Sequence, residues 1–525
     1  MPRRFFFGTA AVLIAAFFAL FLFLPIAQVL RGGLTDAEGH FTPVFLAEVF
    51  RNPLYLEGLR NSFLIALGTT AVTLLFALPL AWVSDRFDFP GKRVLSGALL
   101  LPMILPPFVG VLGMQSIFGC QGAVNALLQH LGLLGPGEFI DWFAGGFWGV
   151  VLMEALHLYP ILFLNAVAAF ANVDPLLLEA AADCGCVGFR RFWRITLPLI
   201  MPGVFAGGTI VFIWSFTELG TPLMFHYERV TAVQVFDGIK EIGDNPVPYA
   251  LVIVMMAAAA LLYAVAKLTF GRQAYAMAGK AGVAARTVAL RGGKGLAAAL
   301  LFGLFAGIGV LPHLGVMGLS LSRCWYRSVL PSGLTLEHFD AALGHNLTVP
   351  SILNSVRYAA VAVVLAMLLG VLIAVVVVRG KGRLAWLLDG LSMLPLAVPG
   401  LVLAFGYLAV SQKGRLFEAL DPVSNPTVLL IIAYAIRRLP YVVRAAAAGL
   451  QQTSVSYEEA AASVGAPPLT RFRRITVPLI AANLIAGGIL AFSFSMLEVS
   501  DSLLLAQRSL YFPITKAIYE LSMLL

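Results

Sequence analysis

Glu179 to Ile200 reads EAAADCGCVGFRRFWRITLPLI, and Glu459 to Ile480 reads EAAASVGAPPLTRFRRITVPLI. At a constant offset of 280, 13 of these 22 positions are identical. Two apolar helices that happened to look alike would not share Arg191/Arg471, Arg194/Arg474 and Thr196/Thr476 within a polar loop. Earlier in each half the offset becomes 293: Asn61-Ser62 matches Asn354-Ser355, and Leu101-Pro102 with Pro106 matches Leu394-Pro395 with Pro399. The second half is the first half duplicated, 13 residues shorter in an outer loop.

The sequence around the repeat belongs in a membrane. Of 525 residues, 60% are apolar and 12% charged, against about 25% charged in an ordinary soluble domain, and the mean hydropathy is +0.90. Soluble cores of normal size could not hide so much apolar surface, which excludes a soluble enzyme, a disordered scaffold and a nucleic-acid binder. A helix needs about 20 apolar residues to cross the hydrocarbon layer. Spans are expected near Phe5–Leu30, Asn61–Val83, Val94–Phe118, Gly146–Phe170, Leu199–Leu219 and Pro248–Phe270. A second set is expected near Gly295–Leu319, Ile352–Val378, Ala385–Val410, Thr427–Leu450 and Leu479–Val499. The first run is longer than a secretory signal core and lacks a clear small-residue cleavage site, so it reads as an uncleaved anchor.

Positive charge orients the spans. Arg3 and Arg4, then Arg86, Lys92 and Arg93, then Arg190, Arg191 and Arg194 fall on one side, with Arg272, Lys280, Arg286, Arg291 and Lys294. The net excess of 8 positive charges is thereby a topology signal. The N-terminus is expected in the cytoplasm. The fold expected is an all-α polytopic bundle: a first repeat of about six helices over 1–270, a Gly- and Ala-rich basic linker over 271–294, and a second repeat of about five helices over 295–525. Leu525 aligns with Asn245, so either the second repeat lacks a last helix or its C-terminus is incomplete. Both copies of the polar loop lie on the same side, so the repeats run parallel, related by an axis along the membrane normal.

The loop itself fits E-A-A-x(3)-G-x(9)-I-x-(L/V)-P twice, with Glu179, Ala180, Ala181 and Gly185 in one copy and Glu459, Ala460, Ala461 and Gly465 in the other. An acid opening an alanine-rich helix is favoured by propensity and by the helix dipole, and the glycine suits the C-terminal cap. Small alanines leave a face that fits a partner's groove. This pattern resembles the membrane subunit of type I binding-protein-dependent ABC importers, in which such loops dock into the ATPase. The resemblance implies that Glu179, Ala180, Ala181, Gly185, Glu459, Ala460, Ala461 and Gly465 couple to two ATPase subunits, which bind ATP and magnesium. It also implies an extracytoplasmic binding protein and no cofactor in this chain. Two such loops in one polypeptide further resemble the fused permeases of ferric-iron and thiamine importers. The chain itself has no G-x-x-x-x-G-K-[ST] phosphate loop.

Ionisable residues inside spans are costly and count as functional candidates. Glu218 and Glu498 correspond under the offset of 280, Asp501 follows Glu498, and Arg437 and Arg438 precede Pro440 in mid-span. Two readings stand. In one, these residues line a substrate path, with carboxylates suited to a hard cation such as Fe3+. In the other, the glutamates sit at headgroup level, and the arginines snorkel or bridge within the bundle, with Glu154 as one partner. Glycine pairs Gly207-Gly208 and Gly487-Gly488 suit close helix packing. Cys184-x-Cys186 is half a metal motif whose counterparts are Val464 and Ala466, so no metal site is assigned, and Cys120 and Cys324 could pair.

The function expected is import of a small solute, ferric iron first, since Ser493 to Leu505 and Phe512-Pro513-Ile514-Thr515 look similar to ferric permeases. Thiamine, polyamine and phosphonate are alternatives, as is an ion-coupled carrier, which would need no twin loops. No catalytic set is found, so a membrane-embedded enzyme is disfavoured.

Overall fold

The computed structural model describes residues 3–36, 38–277, 287–380 and 382–523. Linker residues Lys280 and Arg286, and Leu525, lie outside the described residues. The described chain is helical, with β-structure confined to one isolated bridge and two short strand pairs. Phe87–Asp88 runs parallel to Val288–Ala289, and Ser322–Cys324 runs antiparallel to Ser332–Leu334.

Among the described residues, 8 helices are long and apolar enough to cross a membrane, or up to 10 if two bent pairs each count as one span. Three expected spans are not straight helices. The second-half span expected over Ala385–Val410 is Arg383–Leu396 followed by Gly400–Val410, bent by 95°. Its first-half counterpart, expected over Val94–Phe118, likewise divides into Lys92–Ala98, a tight turn at Leu101–Met103, and Pro107–Phe118. The cause is the duplicated Leu-Pro…Pro signature. Pro106 (φ −56°, ψ 136°) and Pro399 (φ −57°, ψ 142°) both adopt extended backbone just before the next helix. Proline removes a backbone donor, and the residue before it is pushed from helical geometry. The third case is the span expected over Leu479–Val499, which bends by 73° between Pro468–Leu479 and Ala481–Met496. Thr427–Gln452 forms as a helix but carries Arg437, Arg438 and Arg444 and is not among the apolar spans.

Contacts divide the chain into two compact units that do not follow chain order. One holds Met1–Arg51, Val235–Met256 and Leu343–Leu525; the other holds Asn52–Gln234 and Ala257–Ala342. In the first unit, the helical run from Arg3 to Leu34 packs on Gly400–Val410. The Tyr407 hydroxyl donates to the Phe21 carbonyl at 2.7 Å. Gly406 allows the approach: a Cβ there would stand 2.9 Å from Pro25 Cβ. In the second unit, Gly292–Leu321 packs on Pro107–Phe118. A Cβ on Gly315 would stand 2.6 Å from Gly113 Cα. Gly113 and Gly406 are the same repeat position at the offset of 293, so one sequence position receives a long helix in each unit. Gly207 and Gly487 also serve packing, against Leu162 and Ala445.

The shared Asn-Ser pair has one job in both halves. Asn61 donates to the Arg229 carbonyl at 2.9 Å, and Ser62 Oγ accepts from the Thr231 amide at 3.0 Å. Asn354 donates to the Leu510 carbonyl at 2.9 Å, and Ser355 Oγ accepts from the Ile514 amide at 2.7 Å. Each serine satisfies an amide at the start of a short helix, Thr231–Asp237 or Ile514–Ser522, where no intrahelical acceptor exists.

Candidate functional site: two repeated loops and a buried ion cluster

The repeated loops fold alike. Pro175–Asp183 is a helix whose start is capped by Asp174, which accepts from the Leu176 amide at 2.9 Å. Its C-terminal end closes with Gly185 N–H to Ala182 O (2.9 Å) and Cys186 N–H to Ala181 O (2.8 Å). Ser456–Ser463 closes the same way, with Gly465 N–H to Ala462 O and Ala466 N–H to Ala461 O, both 3.0 Å. Gly185 (φ +75°) and Gly465 (φ +79°) are left-handed, the conformation such a cap requires and L residues resist. The shared F-x-R-I-T segment then makes a π-helical turn in each copy, Phe192–Thr196 and Phe472–Thr476.

Both loops present apolar surface. Glu179, Ala180, Glu459 and Ala460 are exposed, Ala461 is half-buried, and Ala181 is buried against the rest of its own unit. Around them Phe189 (76%), Trp193 (55%), Val464 (83%) and Leu469 (76%) stand exposed beside Arg190, Arg194, Arg473 and Arg474. Large apolar side chains grouped within a basic polar loop mark an interaction surface.

Four of the five path candidates come together. Arg437 Nη1 pairs with Glu498 and with Asp501 Oδ2, the latter at 3.2 Å. Arg438 Nη2 pairs with Glu498 and donates to the Phe494 carbonyl at 2.8 Å, its guanidinium 5.5 Å from the Phe494 ring centre. Tyr434, Ser502 and Thr515 complete the network, with Ser502 and Thr515 hydroxyls each donating to the Glu498 carbonyl at 2.7 Å. Arg438 and Glu498 are 6% exposed and Asp501 0%. Two arginines thus face two carboxylates, so the cluster is neutral as a whole, which offsets much of the cost of burying charge.

Glu218 belongs to the other unit. Its carboxylate accepts from the Gly220 amide at 3.2 Å. The counterparts of Arg437 and Arg438 are His157 and Leu158, and His157 Nδ1 lies 3.0 Å from the Pro102 carbonyl. Glu154 is hydrogen-bonded by the Ser215 hydroxyl, and the carboxylates paired with the arginines are Glu498 and Asp501. Cys120 and Cys324 are free thiols, and among the described residues no group of three or more His, Cys, Asp or Glu side chains is arranged to hold a metal ion.

One residue escaped sequence reading. Glu458, immediately before the repeated acid, pairs with Arg379 Nε at 3.3 Å and accepts from Thr476 Oγ1 at 3.4 Å. Its counterpart is Leu178, so the repeat gave no signal; an acid six residues after the end of Thr427–Gln452 was the only hint.

The model of the binding-protein-dependent transport system inner membrane component family matches residues 74–274 and again 362–523. The chain belongs to this family, carries its domain twice, and is a multi-pass inner-membrane protein. It is 26% identical over 472 residues to the ferric transport system permease protein FbpB of Actinobacillus pleuropneumoniae, covering 87% of this chain and 64% of that protein. It is 27% identical over 475 residues to a putative ferric transport system permease protein of Haemophilus influenzae, covering 87% and 70%. A probable molybdenum ABC transporter permease protein of Haloferax volcanii is 33% identical over 254 residues, 48% of this chain and 87% of that protein. The chain spans about two thirds of the length of the two ferric relatives.

Proposed function

We propose that this chain carries the translocation pathway of an ABC importer, with both permease halves fused in one polypeptide. The observation that carries this reading is the pair of short helices with equivalent C-terminal caps, each followed by exposed apolar side chains. They engage two ATPase subunits, which hold ATP and magnesium. An extracytoplasmic binding protein delivers substrate on the opposite face, and the N-terminus lies in the cytoplasm. The repeats over 1–270 and 295–525, joined by 271–294, are the evolutionary units of this pathway. Closure of the ATPase pair moves the two docking helices, and the spans attached to them alternate access.

Ferric iron is the proposed substrate, supported by relatives named as ferric permeases that align over 87% of the chain. The molybdenum relative supports an oxyanion as the second reading. Deleting the chain from its host is expected to abolish uptake of radiolabelled ferric iron by intact cells and to leave molybdate uptake unchanged. Loss of molybdate uptake with iron uptake intact would reverse the substrate assignment while keeping the importer.

A further inference from the structure

The two docking helices are alike in their C-terminal caps but are tied to the spans by different chemistry. At the end of the 32-residue helix Thr348–Arg379, the Arg379 guanidinium meets two other segments. Its Nη2 donates to the Thr453 carbonyl at 3.0 Å, at the C-terminal cap of Thr427–Gln452. Its Nε pairs at 3.3 Å with Glu458 in the docking helix Ser456–Ser463. The same Glu458 oxygen accepts from Thr476, the last residue of the π-turn that leads into the next span, at 3.4 Å. Two spans, the docking helix and the entry to a third span therefore converge on one ion pair. The pair is shielded, with the Arg379 side chain 9% and the Glu458 side chain 21% exposed.

The first repeat keeps the cation and lacks the acid. Arg86 occupies the Arg379 position at the offset of 293, and Leu178 occupies the Glu458 position at the offset of 280. Leu178 packs against the apolar core of its unit, beside residues such as Phe170 and Val173, and its carbonyl accepts from Arg191 Nη1 at 3.4 Å. The charged neighbours of Arg86 are Asp85, next to it in sequence, and Arg191. Where the second repeat has a shielded ion pair, the first therefore has an apolar contact and one long hydrogen bond to a backbone carbonyl. Such contacts slide at low cost, whereas a shielded ion pair with further hydrogen bonds resists displacement until it is broken.

We propose that Arg379 is a positioning residue that couples the second docking helix to the spans through Glu458, so that the two docking helices transmit the ATPase stroke unequally. This rests on the docking reading of the loops given above. Arg379 touches neither substrate nor nucleotide in this account; it acts through Glu458.

The test uses the assembled importer, recovered from native membranes by a tag on this chain and reconstituted in liposomes with its binding protein. Basal and binding-protein-stimulated ATP hydrolysis are measured separately. Arg379→Gln is expected to lower the stimulated rate about tenfold, the scale of coupling between linked sites, with subunit recovery and basal rate retained. Glu458→Gln should do the same, and it carries the test if Arg379→Gln fails to insert. The charge-exchanged double variant Arg379→Glu/Glu458→Arg is expected to recover stimulation, which lost packing alone would not allow. Arg86→Gln should leave stimulation at the wild-type level. Full stimulation in Arg379→Gln or Glu458→Gln overturns the proposal, as does a charge exchange no better than the single variants, or an equal loss in Arg86→Gln. A wild-type complex with no ATPase subunit would instead overturn the importer reading itself, and this proposal with it.

Discussion

Replacing Gly185 and Gly465 together by aspartate is expected to abolish transport and leave the chain inserted. Both glycines hold left-handed backbone, and a Cβ at either would meet nothing within 4 Å in this chain. The intramolecular penalty is therefore the left-handed conformation itself, about 1–2 kcal/mol per residue for an L side chain, and aspartate tolerates that region better than most. Such a cost does not unfold a polytopic protein. The docking surface is a different matter. Truncating or disrupting a well-packed interface centre costs about 2 kcal/mol or more per position, and here two carboxylates enter faces lined by Phe189, Trp193, Val464 and Leu469. Across two loops the loss is about a hundredfold or greater. The measurements are substrate uptake and the yield of chain in the membrane. Normal yield with no uptake is expected, and retained uptake would count against coupling through these loops.

Glu498→Gln has the second largest expected effect, and it acts on stability. The buried cluster balances Arg437 and Arg438 against Glu498 and Asp501. Removing one carboxylate leaves an uncompensated arginine charge in a site 6% exposed or less at Arg438 and Asp501. Breaking a buried pair from one side costs about 3–5 kcal/mol. The expected readout is a clear fall in thermal midpoint and membrane yield. Taking the first-repeat residues at three positions, Arg437→His, Arg438→Leu and Asp501→Thr, with Glu498→Gln at the fourth, removes both signs of charge and is expected to restore much of the loss. Unchanged stability in Glu498→Gln, accompanied by lost transport, would return the cluster to the substrate path.

What could be read from the sequence was local or duplicated. The docking helices and their glycine caps depend on residues within ten positions of one another, so E-A-A-x(3)-G sufficed, and the duplication made chance an untenable explanation. The Leu-Pro…Pro signature was equally local, and it was read as a marker of the repeat when its physical content is a broken span. The ion cluster joins residues about 60 positions apart, and nothing local distinguishes Glu498 from Glu154 as the partner of an arginine. The placement of the two long helices, Arg3 to Leu34 and Gly292–Leu321, depends on contacts at Gly406 and Gly113 that are tertiary throughout. Glu458 was hidden for the opposite reason: attention to what the repeats share passes over what only one of them has.

The most direct test of the account is to place a photo-activated cross-linking side chain at Phe189, and separately at Leu469, in intact membranes of the native host. Both positions are strongly exposed on the docking loops, and working in membranes avoids loss of partners to detergent. The account predicts that each position yields a covalent adduct with a nucleotide-hydrolysing subunit, and that both adducts contain the same class of subunit. Adducts at both positions with lipid or unrelated proteins, and none with such a subunit, would contradict it.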